Sequence, residues 1–346
     1  MTAAKVVMLR SAVPQPPVAQ AVILDALATM YGELPRVGEL FASSVVSQRH
    51  FAWDPREMLA GDYPGIGARM RAFEHHAMAV GRKLLPPVLA GLDRDRIGSF
   101  VMASSTGYTN PGPESLLAKE FGLRTDLRRT FIGHMGCYAA FNAMKVGLDA
   151  LAARPEQLAL VCCIELSSLH LRSEPSLEQA VVHTLFGDAG SIALLSAAPD
   201  AEGITVLGTH TETHYAASDA MTLRMHDDTF RMTLSPFVPV LIAEKIEAFV
   251  DRLLAPAGLD RGDIRHWGIH PGGPKIIDLV GDRLGLAEAA LDPSRQILAE
   301  YGNCASATIL LILERIVDSA APQPGEYGVL MAFGPGLTIE AMLVRF

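Results

Sequence analysis

The chain predicts an α/β fold in which covered sheets and flanking helices gather into one compact body of two similar halves. Three observations carry this reading. From about residue 100 onward, apolar runs of strand length alternate with helical patterns. The same alternation starts again after about residue 200. No Ser/Gly-rich tract, charge block or low-complexity segment separates the two stretches, so the halves, 1–199 and 200–346, are read as parts of one unit.

Before residue 100 the pattern is mostly helical. AQAVILDALATMYGEL and AFEHHAMAVGRKLLPPVLAGL both place apolar residues at three- and four-residue spacing. IGSFVMASS reads as a buried strand, ESLLAKEFGL as a short helix, RRTFIGH as a strand and 137–153 as an alanine-rich amphipathic helix. LALVCCIEL, apolar on both faces, reads as an inner strand; the turn FGDAG and the strand SIALLSA follow. The second half gives strand ITVLGTHTE, helix PVLIAEKIEAFVDRLLAPAG, strand HWGIH, and helices PKIIDLVGDRL and ASATILLILERIVDS. It closes on YGVLMAFGPGLTIEAMLVRF, two strands joined by a Gly-Pro-Gly turn.

Composition narrows the function. With 49% hydrophobic and 19% charged residues, the chain can bury a large core and a subunit interface, as a soluble dimer would. A net charge of −9 excludes a nucleic-acid or anionic-membrane surface, both of which need clustered Lys and Arg. The first apolar run is broken by Arg10 and Pro14, too early for a secretory signal, and no uncharged apolar run reaches the ~18 residues of a membrane span. Four cysteines in so long a chain make no disulfide framework, which points to a reducing cytoplasm. Cys162 and Cys163 lie inside LALVCCIEL and read as inert core.

Three residues share an unusual context. Cys137 follows Gly136 and opens the helix 137–153, where the positive end of the helix favours a thiolate and an acidic thiol. His270 ends HWGIH just before Pro271, Gly272, Gly273, Pro274 and a helix; Asn303 follows Gly302 before another. Side chains at such junctions are fixed yet exposed at the end of a sheet. Cys, His and Asn together suit acyl transfer with carbon–carbon bond formation: a thiolate takes the acyl group, and His and Asn donate hydrogen bonds to an enolate. At this point ordinary turn residues remain the competing reading.

The strings GCYAAFNAMKVGLDAL, LFGDAGSIALL, GIHPGGPKIIDLV, EYGNCASATILLILE and AFGPGLTIE occur in order and resemble the motifs of type III polyketide synthases, the chalcone-synthase-like branch of the thiolase superfamily. The likeness covers residues 100–346 well and the first hundred loosely. It implies a five-layered α-β-α-β-α thiolase-like fold and a cytoplasmic homodimer. The implied reaction joins a starter acyl thioester to malonyl-coenzyme A-type extenders by decarboxylative Claisen condensation, then cyclises the product to a pyrone or phenol. Coenzyme A thioesters are then substrates, and no resident cofactor or metal is implied. Cys137 would be the acyl-bearing nucleophile, His270 its ion-pair partner and Asn303 the co-donor to the enolate. Phe186 and Phe230 would be aromatic gates, against plain core packing as the bland alternative. Pro335 would shape the cavity floor; Ser105, Thr106, Ser167 and His170 would line the cavity.

The chain also departs from the family. Asn110 replaces the methionine that reaches across the dimer interface, Ala305 replaces a small polar residue, and Met221 stands where many relatives have glycine. Of the basic residues that grip coenzyme A phosphates in plant members only Arg36 remains, with Glu39 and Ser43 at the other positions. Arg49, Lys275, Gly272 and Gly273 are candidate substitutes, and an acyl carrier protein could also deliver a substrate. Solvated surface charge is the plain alternative for Arg49 and Lys275.

Two other readings compete. An initiating β-ketoacyl synthase that uses acyl carrier protein would share Cys, His and Asn, but that branch shows a His-Gln-Ala-Asn string and this chain has HPGGPK after His270. An inactive partner subunit of condensing fold would not need all three residues intact. A metal site at His210 and His214 is set aside, because i and i+4 on a strand lie about 13 Å apart.

Overall fold

A computed structural model describes residues 4–31, 37–56, 64–171 and 176–346. Its strands are β1 (Lys5–Ala12), β2 (Val18–Ala19), β3 (Gln48–Arg49), β4 (Ile97–Ser104), β5 (Arg128–Gly133), β6 (Leu158–Leu166), β7 (Asp188–Ser196), β8 (Ile204–Thr213), β9 (Met221–Met225), β10 (Phe230–Leu234), β11 (Ile264–Ile269), β12 (Tyr327–Gly334) and β13 (Thr338–Arg345). Nine of them make one sheet in the order β11-β12-β13-β8-β1-β7-β6-β4-β5. β1 and β8 meet only at Lys5 with Thr205 and Val6 with Ile204, so the sheet is two sheets joined at a corner.

Both parts follow one plan. In the first, β4 pairs parallel with β6, and β6/β7 and β7/β1 are antiparallel. In the second, β11 pairs parallel with β12, and β12/β13 and β13/β8 are antiparallel. β5 extends the first part by one more parallel strand.

Apolar side chains on both faces of these strands require cover on both sides. Helices Ile66–Leu89 and Pro113–Glu120 supply Phe73, Leu84, Val88 and Leu117 against Phe100, Met102, Leu160 and Ile164. Helices Ala139–Ala153 and Ala307–Arg315 lie between the sheets, where Phe141, Met144, Leu310 and Leu313 share one core with Val101, Val161, Leu330 and Met342. Helices Ile246–Leu254, Pro274–Leu284 and Glu288–Tyr301 close the far side with Phe249, Ile277, Val280 and Leu298 on Trp267, Met331 and Ile339. The result is the expected five layers. Each fully buried Phe or Leu contributes about 1.5–3 kcal/mol.

Some elements differ from the expectation. The FGDAG segment is no turn from Asp188 on: Asp188, Ala189 and Gly190 already pair with Leu166, Glu165 and Ile164 of β6. The long helix expected at 239–258 is two, Val238–Ala243 and Ile246–Leu254. The helix after Asn303 runs Ala307–Arg315 and ends in a π turn, Ile316–Ala320. β9 and β10 form a two-stranded hairpin apart from the main sheet. Among the described residues no helix is long and apolar enough to cross a membrane. All four cysteines are buried and unbridged.

Candidate active site

Cys137 lies in a 3-10 turn, Gly136–Tyr138, that carries the chain from β5 into the middle-layer helix Ala139–Ala153. Gly136 has φ +75°, and a Cβ there would stand 2.6 Å from Pro335 Cδ, so both conformation and contact demand glycine. The Gly136 amide donates to Ser105 Oγ at 2.8 Å, and the Tyr138 hydroxyl donates to the Pro335 carbonyl at 3.3 Å. The residues after β4 and the β12–β13 turn thus clamp the turn that holds Cys137 from two sides.

Asn303 is fixed just as tightly. Gly302 before it has φ +70°, and a Cβ there would be 2.4 Å from the Leu185 carbonyl. The Asn303 amide donates to that carbonyl at 2.7 Å, and the Asn303 carbonyl accepts from Gly187 at 3.0 Å. Its side-chain Oδ1 accepts from the Ala305 amide at 2.8 Å and from the Cys137 thiol at 3.9 Å. With Oδ1 so assigned, Nδ2 is the group that can donate to a ligand.

His270 reaches the same region through β12. Its amide donates to the Met331 carbonyl at 2.9 Å, and three residues along that strand a Cβ on Gly334 would lie 3.4 Å from the Cys137 nitrogen. The imidazole is fully buried and neither ring nitrogen has a hydrogen-bond partner. Buried polar atoms are rarely left so, and a missing ligand is one explanation.

Burial decides the electrostatics. It pushes the Cys137 thiol up to about 12, with the Glu165 charge adding and the Asn303 hydrogen bond only partly offsetting. The helix terminus does not win, which corrects the acidic thiol expected from the sequence. Burial also holds His270 down at about 3. Glu165, unremarked in the sequence, is a further buried group: its Oε2 accepts from the Ser105 amide at 2.9 Å and Thr106 Oγ1 at 3.2 Å, and its Oε1 from the Ser306 hydroxyl. Burial raises it to about 7 against those hydrogen bonds.

The remaining expected residues separate into groups. Phe186 is buried, bridges to Asn303, and gives its carbonyl to Arg49 Nη1 at 2.7 Å. Phe230 is buried between His170, stacked at 4.4 Å, and His134, edge-on at 5.7 Å. Ser105 and Thr106 are buried and already bonded to Gly136 and Glu165, so their hydroxyls position the site more than they line it. Ser167 and His170 belong to the turn after β6, and Ala305 is buried beside Asn303 with φ 43°. Met221 is buried in the outer core of the second half, in one cluster with Phe186. Pro335 covers Gly136, and Asn110 is exposed on the loop after β4.

The coenzyme A set needs correction. Arg49 is fully buried, with Nε and Nη2 on Gln20 Oε1 at 3.1 and 2.8 Å and Nη1 on the Phe186 carbonyl; it braces the segment that holds Phe186 and cannot grip a phosphate. Arg36 lies outside the described residues. Lys275 is exposed in the first turn of the helix Pro274–Leu284, behind Gly272 and Gly273. Among the described residues no cluster of three or more His, Cys, Asp or Glu could hold a metal ion.

Comparison with known proteins converges on one group. Residues 3–199 match the family model of the N-terminal domain of chalcone and stilbene synthases, and residues 211–346 that of the C-terminal domain. The chain is 32% identical to 3,5-dihydroxyphenylacetyl-CoA synthase of Amycolatopsis balhimycina, over 94% of this chain and 89% of that protein. It is 31% identical to the alpha-pyrone synthesis polyketide synthase-like Pks18 of Mycobacterium tuberculosis, over 99% and 91%. It superposes on the crystal structure of 1,3,6,8-tetrahydroxynaphthalene synthase of Streptomyces coelicolor, a bacterial type III polyketide synthase, with a TM-score of 0.91, 26% identity and 99% coverage of both chains.

Proposed function

This chain belongs to the chalcone and stilbene synthase family, with the thiolase-like fold and condensing chemistry of a type III polyketide synthase, and from that premise we propose how its own residues divide the work. Cys137 takes the starter acyl group from a coenzyme A thioester. Its buried thiol reacts only once deprotonated, and His270 is the base that receives the proton. Attraction between thiolate and imidazolium offsets part of the burial cost. The extender, malonyl-coenzyme A or a close relative, then loses carbon dioxide, and His270 and Asn303 Nδ2 donate hydrogen bonds to the enolate oxygen. The enolate carbon attacks the Cys137 thioester, forming the new carbon–carbon bond and releasing the thiol. Cyclisation to a pyrone or phenolic product follows.

The observation that carries this assignment is the Cys137 thiol lying 3.9 Å from Asn303 Oδ1 while His270 keeps two buried, unpartnered ring nitrogens. Lys275 at a helix N-terminus is the described candidate for the coenzyme A phosphates. The working unit is a homodimer in the cytoplasm. Delivery by acyl carrier protein remains a second route, since Arg49 is spoken for.

The test separates loading from decarboxylation. Cys137→Ala abolishes the acyl-enzyme seen by mass spectrometry and all product. Asn303→Ala still acylates Cys137 but decarboxylates malonyl-coenzyme A about 10²- to 10³-fold more slowly. A normal decarboxylation rate in Asn303→Ala would show the enolate site to be misplaced.

A further inference from the structure

The β9–β10 hairpin carries Phe230 and Met221 yet shares no ladder with the main sheet. At its outer end, residues 224–227 are exposed, whereas Thr229 and Phe230 are buried. There His170, from the first half, meets the hairpin.

Its hydrogen bonds fix one tautomer. The Phe230 amide donates to Nδ1 at 3.2 Å, so Nδ1 is an acceptor and the proton sits on Nε2. Nε2 then donates to the Thr106 carbonyl at 2.6 Å. The Thr229 hydroxyl adds a bond to the His170 carbonyl at 3.2 Å, and the imidazole lies flat on the Phe230 ring, 4.4 Å away and 8° from parallel. At the other end of the hairpin, the Leu234 amide is held by Glu178 Oε1 at 3.0 Å and the Met221 carbonyl accepts from Gly336 at 3.4 Å. The outer end is thus tied to the first half through a ring that is both donor and acceptor.

We propose that His170 is a latch, a positioning residue that clamps the β9–β10 hairpin to the wall holding Thr106 and Glu165, so that its hydrogen bonds, rather than its bulk, hold Phe230 in place at the passage to Cys137. The passage part rests on the reading of Phe230 as a gate. Burial keeps His170 down at about 4, which leaves the neutral tautomer in place at working pH. Thr106 gives its carbonyl to His170 and its hydroxyl to Glu165, so the latch is anchored in the same network that borders the nucleophile's turn.

The test uses the full-length protein and three variants. His170→Leu fills similar space without hydrogen bonds; His170→Gln keeps a donor at the Nε2 position; His170→Asn keeps an acceptor at the Nδ1 position. Hydrogen–deuterium exchange is read without substrate. In Leu and Gln variants whose other regions exchange as in the wild type, amides of 221–234 exchange about 10-fold faster, and Asn restores protection at Phe230. With substrates, the loosened variants form less polyketide per malonyl-coenzyme A decarboxylated and accept longer starters. Wild-type exchange in His170→Leu would overturn the latch. A loosened hairpin with unchanged starter choice would overturn its hold on the passage. The expected exchange pattern in a protein that condenses no starter would support the latch and sink the condensing function instead.

Discussion

His270 and Glu165 show how burial, rather than residue type, sets the chemistry of single side chains here. Burial favours the neutral form of both Cys137 and His270 taken singly, with the Asn303 side chain and Cys137's own amide pulling the thiol back, so the ion pair of the proposed mechanism forms only through the mutual attraction of thiolate and imidazolium. Replacing His270 by Gln should therefore move the pH midpoint for iodoacetamide alkylation of Cys137 upward by about one unit or more. An unshifted profile would remove His270 as the base. Glu165 is raised from 4.5 to about 7, so the folded state binds its proton more tightly than the unfolded chain does. The stabilisation is present below pH 4.5 and is lost as pH rises towards 7, a change of about 3 kcal/mol at most at ~1.4 kcal/mol per unit. Denaturant unfolding at pH 5 and pH 8 should show a smaller loss in Glu165→Gln than in the wild type; equal losses would mean that Glu165 ionises normally. Cys137 and Asn303 stand out because each follows a glycine ahead of a helix, and His270 because it ends a strand before Pro-Gly-Gly-Pro, but only the family resemblance sets the three apart from ordinary turn residues. Glu165 does not stand out, since its neighbours in LALVCCIEL mark only a strand, and the hydroxyls of Thr106 and Ser306 that it accepts from are 59 and 141 residues away.

At the scale of elements, strongly periodic segments were readable and context-dependent ones were not. LALVCCIEL and PKIIDLVGDRL occupy the strand and helix expected, Leu158–Leu166 and Pro274–Leu284. FGDAG misled because Asp and Gly signal turns locally, while in the fold Asp188 accepts from the Ser168 amide at 2.8 Å and the Ala52 amide at 2.6 Å and continues a ladder. β1 reads as an interrupted apolar run, yet it is the inner strand at which the two sheets join. The β9–β10 hairpin had no pattern at all, because its fixing contacts come from outside it. Met221 begins that hairpin and packs in the cluster that holds Phe186. Met221→Gly should cost a few kcal/mol in unfolding free energy and, in the folded fraction, admit bulkier starters or extra extensions. A folded variant with the wild-type product profile across starter lengths would reduce Met221 to core packing.

At the scale of the molecule, the repeated strand plan explains why residues far apart in sequence meet. The helices Ala139–Ala153 and Ala307–Arg315 both belong to the middle layer, and Cys137 and Asn303 lie just before their starts, so closing the two sheets around that layer brings the pair together. The same view exposes an edge of the sheet close to Cys137. Among the described residues no strand pairs with the outer side of β5, and Arg128 and Arg129 on it are exposed. A free edge invites strand pairing with another chain. β4 and β5 are parallel and end level at Ser104 and Gly133, so the loops carrying Tyr108 and Met135, 63% and 40% exposed, leave from the same end. Met135 is two residues from Cys137. In the proposed homodimer, pairing of β5 with the β5 of a second copy would bring the loops with Tyr108 and Met135 under the partner and couple assembly to the turn that holds Cys137. If the proposed homodimer forms through this edge, Met135→Glu places a charge in that contact and should shift it to monomer in sedimentation velocity, keep the far-UV spectrum and lose condensation together with the dimer. An intact dimer in a folded Met135→Glu protein would place the subunit interface on another face; a fully active monomer would break the link between assembly and the site.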